Sequence, residues 1–238
     1  MDSERIFNVK DGSTQDTQWI SISDMMSGLM IIFLFLAIAY MKDIVQQKQQ
    51  IEQVAILWNT TQEALYDDLL EEFKNDLPRW RAEIDRESLA VRFKEPSVFF
   101  VTGSAAISQG FKTILKDFFP RYLNILKLYQ SNIAEVRIEG HTSSEWEGAA
   151  NATEAYFNNM ELSQNRTRAV LQYCLSLKNV EKDLVWAKEN ITANGLSSSK
   201  LIKNSAGEEN PELSRRVEFR VRTDAEKRIV SILQGVKK

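Results

Sequence analysis

The chain has 238 residues, 43% of them hydrophobic, which is room for one or two small folded domains. A formal net charge of −3, with no long basic block, excludes a nucleic-acid binder held by phosphate attraction. The single cysteine, Cys174, excludes an intramolecular disulfide framework and a cysteine-rich zinc site. It lies in the apolar stretch "AVLQYCLSL" and is expected to be a small buried core residue.

In chain order, a polar leader (residues 1–19) precedes an apolar run from Ile20 to Met41, 22 residues whose only charge is Asp24. At about 1.5 Å per residue a helix of that length reaches about 33 Å, enough for a hydrocarbon core about 30 Å thick. The run is therefore expected to be one transmembrane helix. A cleaved signal peptide is the rival, because Ala37-Ile38-Ala39 resembles a cleavage site. The leader is acidic on balance (Asp2, Glu4, Asp11 and Asp16 against Arg5 and Lys10) and the run is long for a signal core. Both features favour a retained anchor. Flanking charge does not set its orientation, since Arg5 and Lys10 balance Lys42 and Lys48.

An aspartate at the centre of a membrane helix costs about 3 kcal/mol, and less near the interface. The plain alternative is that Asp24 reaches the membrane surface. Helical spacing, however, puts Ser21, Asp24, Gly28 and Ile31 near one face, with Ser27 beside them. Small residues there let another helix approach closely. Ile32, Phe33, Leu36 and Tyr40 make the other side bulky. A carboxylate closed into such an interface is suited to taking up and releasing a cation, since burial disfavours the charged form. Asp24 is the candidate ion carrier, with Ser21, Ser27 and Gly28 as neighbours on the ion path. A proton needs one tunable carboxylate, whereas sodium wants several oxygens converging.

Residues 42–88 are polar and helical in period, with apolar positions at Ile51, Val54, Leu57, Trp58, Leu65, Leu69 and Phe73. They are expected to form a helical linker, a coil between copies of the chain, or a plug over an ion path. From Leu89 the pattern becomes α/β. Strands are expected at 89–93, 97–107, 134–142, 191–198 and 215–223. Amphipathic helices are expected at about 108–130 and 158–177, and a last helix from 224 towards the C-terminus at 238. This reads as helices on one face of a sheet.

His141 is the only histidine. A metal site needs several converging ligands, so His141 is read as a turn residue satisfied by backbone. No nucleophile–base pair, phosphate loop or metal-spaced cluster is visible. No enzyme, cofactor or metal is expected.

Three ordered segments, "IEGHTSSEW", "NNMELSQNRTRAV" and "NPELSRRVEFRV", resemble the OmpA-like peptidoglycan-binding family over about residues 89–223. The resemblance implies a βαβαββ sandwich that holds the diaminopimelate of cell-wall peptides. Asn159, Leu162, Ser163 and Arg166 fill the family's helix positions, and Arg215 and Arg216 its late arginines. The family's turn aspartate is replaced by Ser143. The expected wall-binding set is Asn159, Leu162, Arg166, Ser143, Glu145 and Arg216. Arg166 would take the ligand's carboxylate, and the ammonium would need Glu145.

The helix "WISISDMMSGLMIIFLFLAI" is similar to that of MotB-type stator subunits, with Trp19, Asp24, Met26 and Met30 in like places. The whole chain resembles the MotB-like subunits of Zorya anti-phage systems more closely than those of flagellar motors. That resemblance implies a cytoplasmic leader, a periplasmic domain and insertion in a bacterial inner membrane. It implies a dimer of this chain beside a MotA-like (ZorA-like) multi-helix subunit, five copies to two. It also makes Asp24 the proton acceptor of a wall-anchored stator. A flagellar stator, a passive envelope tether and an ExbD- or TolR-type energy transducer are the alternatives, the last of which lacks the wall motifs.

Overall fold

The computed structural model describes residues 12–94, 99–101, 103–224 and 230. Most of the expected leader and nearly all of the expected C-terminal helix lie outside the described residues. The first element, α1 (Gly12–Phe73), is a helix of 62 residues. Its residues up to Gln53 belong to one compact unit, and those from Val54 onward to a second.

In the first unit, the described side chains of the apolar run are exposed, including Met25 at 77%, Met30 at 72% and Phe35 at 68%. Among the described residues, α1 is the one helix long and apolar enough to cross a membrane. Water would not tolerate so continuous an apolar face, whereas lipid supplies its natural surroundings.

The second unit starts with the last turns of α1. Leu65, Leu69 and Phe73, four residues apart, are fully buried in the core. Each such side chain contributes about 1.5–3 kcal/mol. A Pro-containing helical turn, α2 (Leu77–Trp80), ends at Arg81 in the left-handed region (φ 52). It leads into β1 (Ala82–Asp85), which pairs antiparallel with β2 (Ala90–Lys94). The stretch 65–88, expected as linker, is thus built into the domain.

The remaining elements are α3 (Gln109–Leu128), β3 (Ile133–His141), α4 (Ala152–Leu175), a 3₁₀ turn (Lys178–Asp183), α5 (Leu184–Asn190), β4 (Ile191–Gly195), α6 (Pro211–Ser214) and β5 (Arg216–Thr223). They form a five-stranded sheet of order β1-β2-β5-β3-β4, parallel only between β3 and β4. The expected βαβαββ order is present as β2-α3-β3-α4-β4-β5, with β1 as an additional edge strand. Of the segment expected as a strand over 97–107, the described residues make an isolated bridge, Phe100 to Ile107, outside the sheet.

The strand period of two sorts the sheet into unlike faces. Val136 and Ile138 of β3 and Val217, Phe219 and Val221 of β5 enter the core. There Phe118 of α3 meets Phe93 and Phe219, each at 5.1 Å between ring centroids. The alternate residues, Glu135, Arg137, Glu139 and His141 on β3 and Arg216, Glu218, Arg220 and Arg222 on β5, form a charged ladder on the opposite face. Arg121 of α3 fastens the end of α1. It donates to Glu72 Oε1 (2.6 Å), Asp76 Oδ2 (2.9 Å) and the Glu72 carbonyl (2.9 Å), with its guanidinium 4.9 Å from the Phe73 ring centre.

Candidate functional site

Two close backbone approaches set the site. A Cβ on Gly140 would lie 2.7 Å from Thr167 Cγ2 and 2.9 Å from the Ser163 carbonyl, so the end of β3 runs hard against α4. One on Gly195 would lie 2.3 Å from the Gln164 nitrogen. Ser163, a family-motif position, is buried and structural: its hydroxyl donates to the Met160 carbonyl and accepts from the Ser197 N–H (3.1 Å). Asn151 caps α4 by accepting from the Glu154 N–H, so the helix begins before the expected residue 158.

Above this junction lies a cleft of about 460 Å³. The loop after β3 contributes Thr142, Ser143, Glu145, Trp146 and Glu147, and α4 contributes Asn159, Leu162 and Arg166. The turn at Phe100 and Gly103, and Arg215 just before β5, complete it. Asn159, Leu162 and Arg166 advance by three and four residues and so share one helix face. The structure therefore brings together five of the six expected wall-binding residues: Asn159, Leu162, Arg166, Ser143 and Glu145.

Asn159 Nδ2 donates to the Glu145 carbonyl (3.1 Å) and holds the loop. Arg166 Nε donates to the Ser104 carbonyl (3.0 Å), and its guanidinium lies 4.9 Å from the Phe100 ring centre. Burial, reinforced by the neighbouring Arg215, pushes the Arg166 pKa down to about 10, so it remains charged at neutral pH. Neither Arg166 nor Arg215 has an ion-pair partner among the described residues, and Glu161 does not pair with Arg166. Two adjacent guanidiniums with no carboxylate paired to them make a place for an anion. Ser143, standing where the family has its acid, is buried and lies 3.4 Å from Arg215 Nη1, a long hydrogen bond.

Two acids here were not found by sequence reasoning. Glu147 lines the cleft with Glu145. Glu209 reaches over from a distant turn to accept from the Ser144 N–H (3.0 Å) and from its hydroxyl, bracing the loop. Glu147 sits two residues past Glu145 in the same polar loop, the one signal that could have marked it.

Arg216, the sixth expected residue, is placed elsewhere. It lines a separate cleft on the charged face of the sheet and is 5% exposed. Its Nε donates to Glu218 Oε1 (2.6 Å), and its Nη1 to the carbonyls of Ser214 (3.0 Å) and Lys200 (3.2 Å). The physical reason is strand alternation. Arg216 is the first residue of β5, paired with His141, and its side chain follows Glu218 to the charged face. Its neighbour Arg215 is the one at the cleft.

His141 ends β3 rather than sitting in a turn. Both ring nitrogens are buried without a hydrogen bond, with Nε2 3.7 Å from Glu139 and 4.0 Å from Glu218. Burial keeps the imidazole pKa below its usual value; Arg216 adds to this and the two glutamates oppose it. Donor atoms of Glu139, His141 and Glu218 lie within 4.8 Å of one another, the spread a metal ion would need. The set does not suit one. Glu218 Oε1 already accepts from Arg216 and Arg92 (2.9 Å), and Oε2 from Arg220 (2.8 Å). A divalent cation would have to displace three guanidiniums that repel it.

On α1, Ser21, Asp24, Ser27 and Gly28 are exposed along the apolar stretch. The Ser27 hydroxyl donates to the Ser23 carbonyl (2.8 Å) of its own helix. A side chain at Gly28 would meet nothing within 4 Å. Cys174 is buried in the core, as its apolar setting implied.

The fold and cleft define an OmpA-type domain behind one membrane-length helix. The model of the OmpA family matches residues 99–215, which takes in every cleft residue from Phe100 to Arg215. The Zorya protein ZorB of Escherichia coli is 50% identical over 221 residues, 92% of this chain and 94% of that one. The chain therefore belongs to the ZorB family. Among solved structures, a MotB-like protein of Desulfovibrio vulgaris is 21% identical, covering 74% of this chain and 94% of its own, with a TM-score of 0.49. The cell wall anchor of the type VI secretion system of Pseudomonas aeruginosa is 19% identical, covering 65% and 96%, with a TM-score of 0.44. The periplasmic domain of Helicobacter pylori MotB is 17% identical, covering 65% and 89%, with a TM-score of 0.42.

Proposed function

We propose that this chain is the wall-anchored stator subunit of a proton-driven inner-membrane complex used in anti-phage defence. The observation that carries the wall anchor is the charge content of the cleft. Two guanidiniums without ion-pair partners, Arg166 and Arg215, share about 460 Å³ with the carboxylates of Glu145 and Glu147. The free end of a diaminopimelate side chain carries an ammonium and a carboxylate on one carbon. Arg166 and Arg215 take the carboxylate, and Glu145 and Glu147 take the ammonium in place of the aspartate that Ser143 replaces.

Asp24 carries the proton, with Ser21, Ser27 and Gly28 letting a partner helix close around it. The partner is a MotA-like multi-helix ring of the ZorA kind, five copies to two of this chain. The leader is cytoplasmic and the OmpA-like domain periplasmic. Neutral and charged Asp24 favour different contacts with the ring, since a carboxylate drives motion only if its two states bind differently. A membrane potential supplies about 2.3 kcal/mol per charge per 100 mV. The wall-bound domain holds the helix still while the ring responds.

Isolated cell wall before and after enzymatic removal of its stem peptides tests the anchor. The full chain in detergent should sediment with the intact wall and lose that sedimentation with the stripped one. Equal sedimentation with both would overturn the peptide site.

A further inference from the structure

The carboxylates assigned to the ammonium, Glu145 and Glu147, stand on an exposed loop, so burial does not fix where they point. Hydrogen bonds hold the loop instead. At its start the Thr142 N–H donates to the Ser197 carbonyl (3.0 Å). Further on, the Glu145 carbonyl accepts from Asn159 Nδ2 (3.1 Å). Between these two, Ser144 gives both its N–H and its hydroxyl to the carboxylate of Glu209. Glu145 is thus held one residue before it and at its own carbonyl. Among the described residues its carboxylate has no hydrogen-bond or ion-pair partner, which leaves it for a ligand.

Glu209 is itself on a firm mount. Residues 203–209 make a tight turn closed by a bridge between Lys203 and Glu209. The Asn204 N–H donates to the Glu208 carbonyl (2.8 Å), and Asn204 Oδ1 accepts from the N–H groups of Ala206 and Glu208, each at 3.0 Å. A side-chain amide bonded to its own backbone in this way fixes a turn without packing. Gly207 takes the left-handed position (φ 83) that the turn requires. At the base, the Asn210 N–H donates to the Ile202 carbonyl (2.7 Å). Both oxygens of Glu209 are engaged by Ser144, Glu209 stands outside the cleft lining, and it forms no ion pair with Arg166 or Arg215 among the described residues.

We propose that Glu209 is a positioning residue that sets specificity: through Ser144 it holds Glu145 where a ligand ammonium is met, so that the cleft distinguishes a diaminopimelate end from one with the carboxylate alone. This rests on the peptide-binding reading of the cleft. A loop free to swing would lose conformational freedom on binding, which would offset the gain from the ammonium. A loop already held avoids that loss. The carboxylate half of the site, on α4 and just before β5, does not depend on this strut.

Calorimetric titration of the full chain in detergent tests the role with two probes. One is a free tripeptide ending in diaminopimelate. The other ends in 2-aminopimelate, which keeps the carboxylate and lacks the second amino group. The native chain should bind the first about tenfold tighter, the low end for a hydrogen bond between charged groups. Glu209→Ala should reduce that preference to about twofold and leave affinity for the 2-aminopimelate probe as it was. Glu209→Gln keeps an acceptor for the Ser144 N–H without the charge, and should retain most of the preference. Full preference in Glu209→Ala would overturn the proposal, as would equal losses for both probes, the mark of a merely structural role. A Glu209→Gln variant as unselective as Glu209→Ala would also overturn it, because Glu209 would then act by its charge and not by position. Equal affinity of the native chain for the two probes would sink the proposal and leave the carboxylate half of the cleft standing. If the native chain binds neither, the wall-binding reading falls and this one with it.

Discussion

Replacing Arg166 by alanine removes the cation that the proposed site depends on most. Its Nε is committed to Ser104, so the two terminal amino groups are the part of the fork left for a ligand carboxylate. A hydrogen bond to a charged partner contributes about 1.5–3 kcal/mol, and truncating one side of a desolvated pair costs about 2–5 kcal/mol. Taking about 3 kcal/mol, wall affinity should fall about 150-fold. Arg166→Lys keeps a charge but not the planar fork and should recover only part of the loss. The same change removes the Ser104 hydrogen bond and the contact with Phe100, together about 1–2 kcal/mol of stability. For a domain of this size that is a drop in Tm of about 2–8 °C. Co-sedimentation of the full chain with isolated cell wall, read as the wall concentration giving half saturation, measures the first effect, and thermal unfolding monitors the second. Unchanged sedimentation by Arg166→Ala, in a protein still folded at the assay temperature, would remove Arg166 from the site.

The adjacent arginines should separate cleanly: Arg215→Ala should weaken wall sedimentation with little change in Tm, whereas Arg216→Ala should lower Tm because Glu218 is left buried beside fewer cations. Burial alone would raise the Glu218 carboxyl, but Arg216 and then Arg220 and His141 outweigh it and hold the pKa at about 2, below the ordinary 4.5. Its stabilisation is therefore complete above about pH 4.5 and lost as pH falls towards 2, on the order of 3 kcal/mol in all. Glu218→Gln should be less stable than the native chain at pH 7 and lose less Tm on acidification to pH 2.5; parallel acid profiles would contradict the cluster. Gly195→Ala should destabilise by at least about 2 kcal/mol in denaturant unfolding, because the new methyl meets α4 backbone rather than a movable side chain.

What was legible in the sequence is what depends on local pattern. The apolar run, the motif stripe of Asn159, Leu162 and Arg166, and the alternation of β5 each follow from a short period. The parts that were not legible depend on distant partners. Leu65, Leu69 and Phe73 form a stripe in the sequence, but nothing local says that the stripe packs against Phe118 and the sheet rather than another copy of the chain. The four residues of β1 are all half-buried, so no alternation announces them. "SVFFVTGSAAI" has strand composition, yet its described part bridges locally at Phe100. Alternation says that Arg215 and Arg216 diverge, but only the pairing of Arg216 with His141 decides which one meets the cleft. Glu209 comes to Ser144 from 65 residues away, a meeting that tertiary structure alone creates.

The most direct test of the central claim is phage plating on cells that carry this chain with its neighbouring genes, native against Asp24→Asn, with membrane levels of the protein checked. Asparagine keeps the shape of aspartate and cannot carry a proton. Protection should disappear while the variant remains inserted and assembled. Full protection by Asp24→Asn would contradict proton carriage and leave a passive tether between membrane and wall.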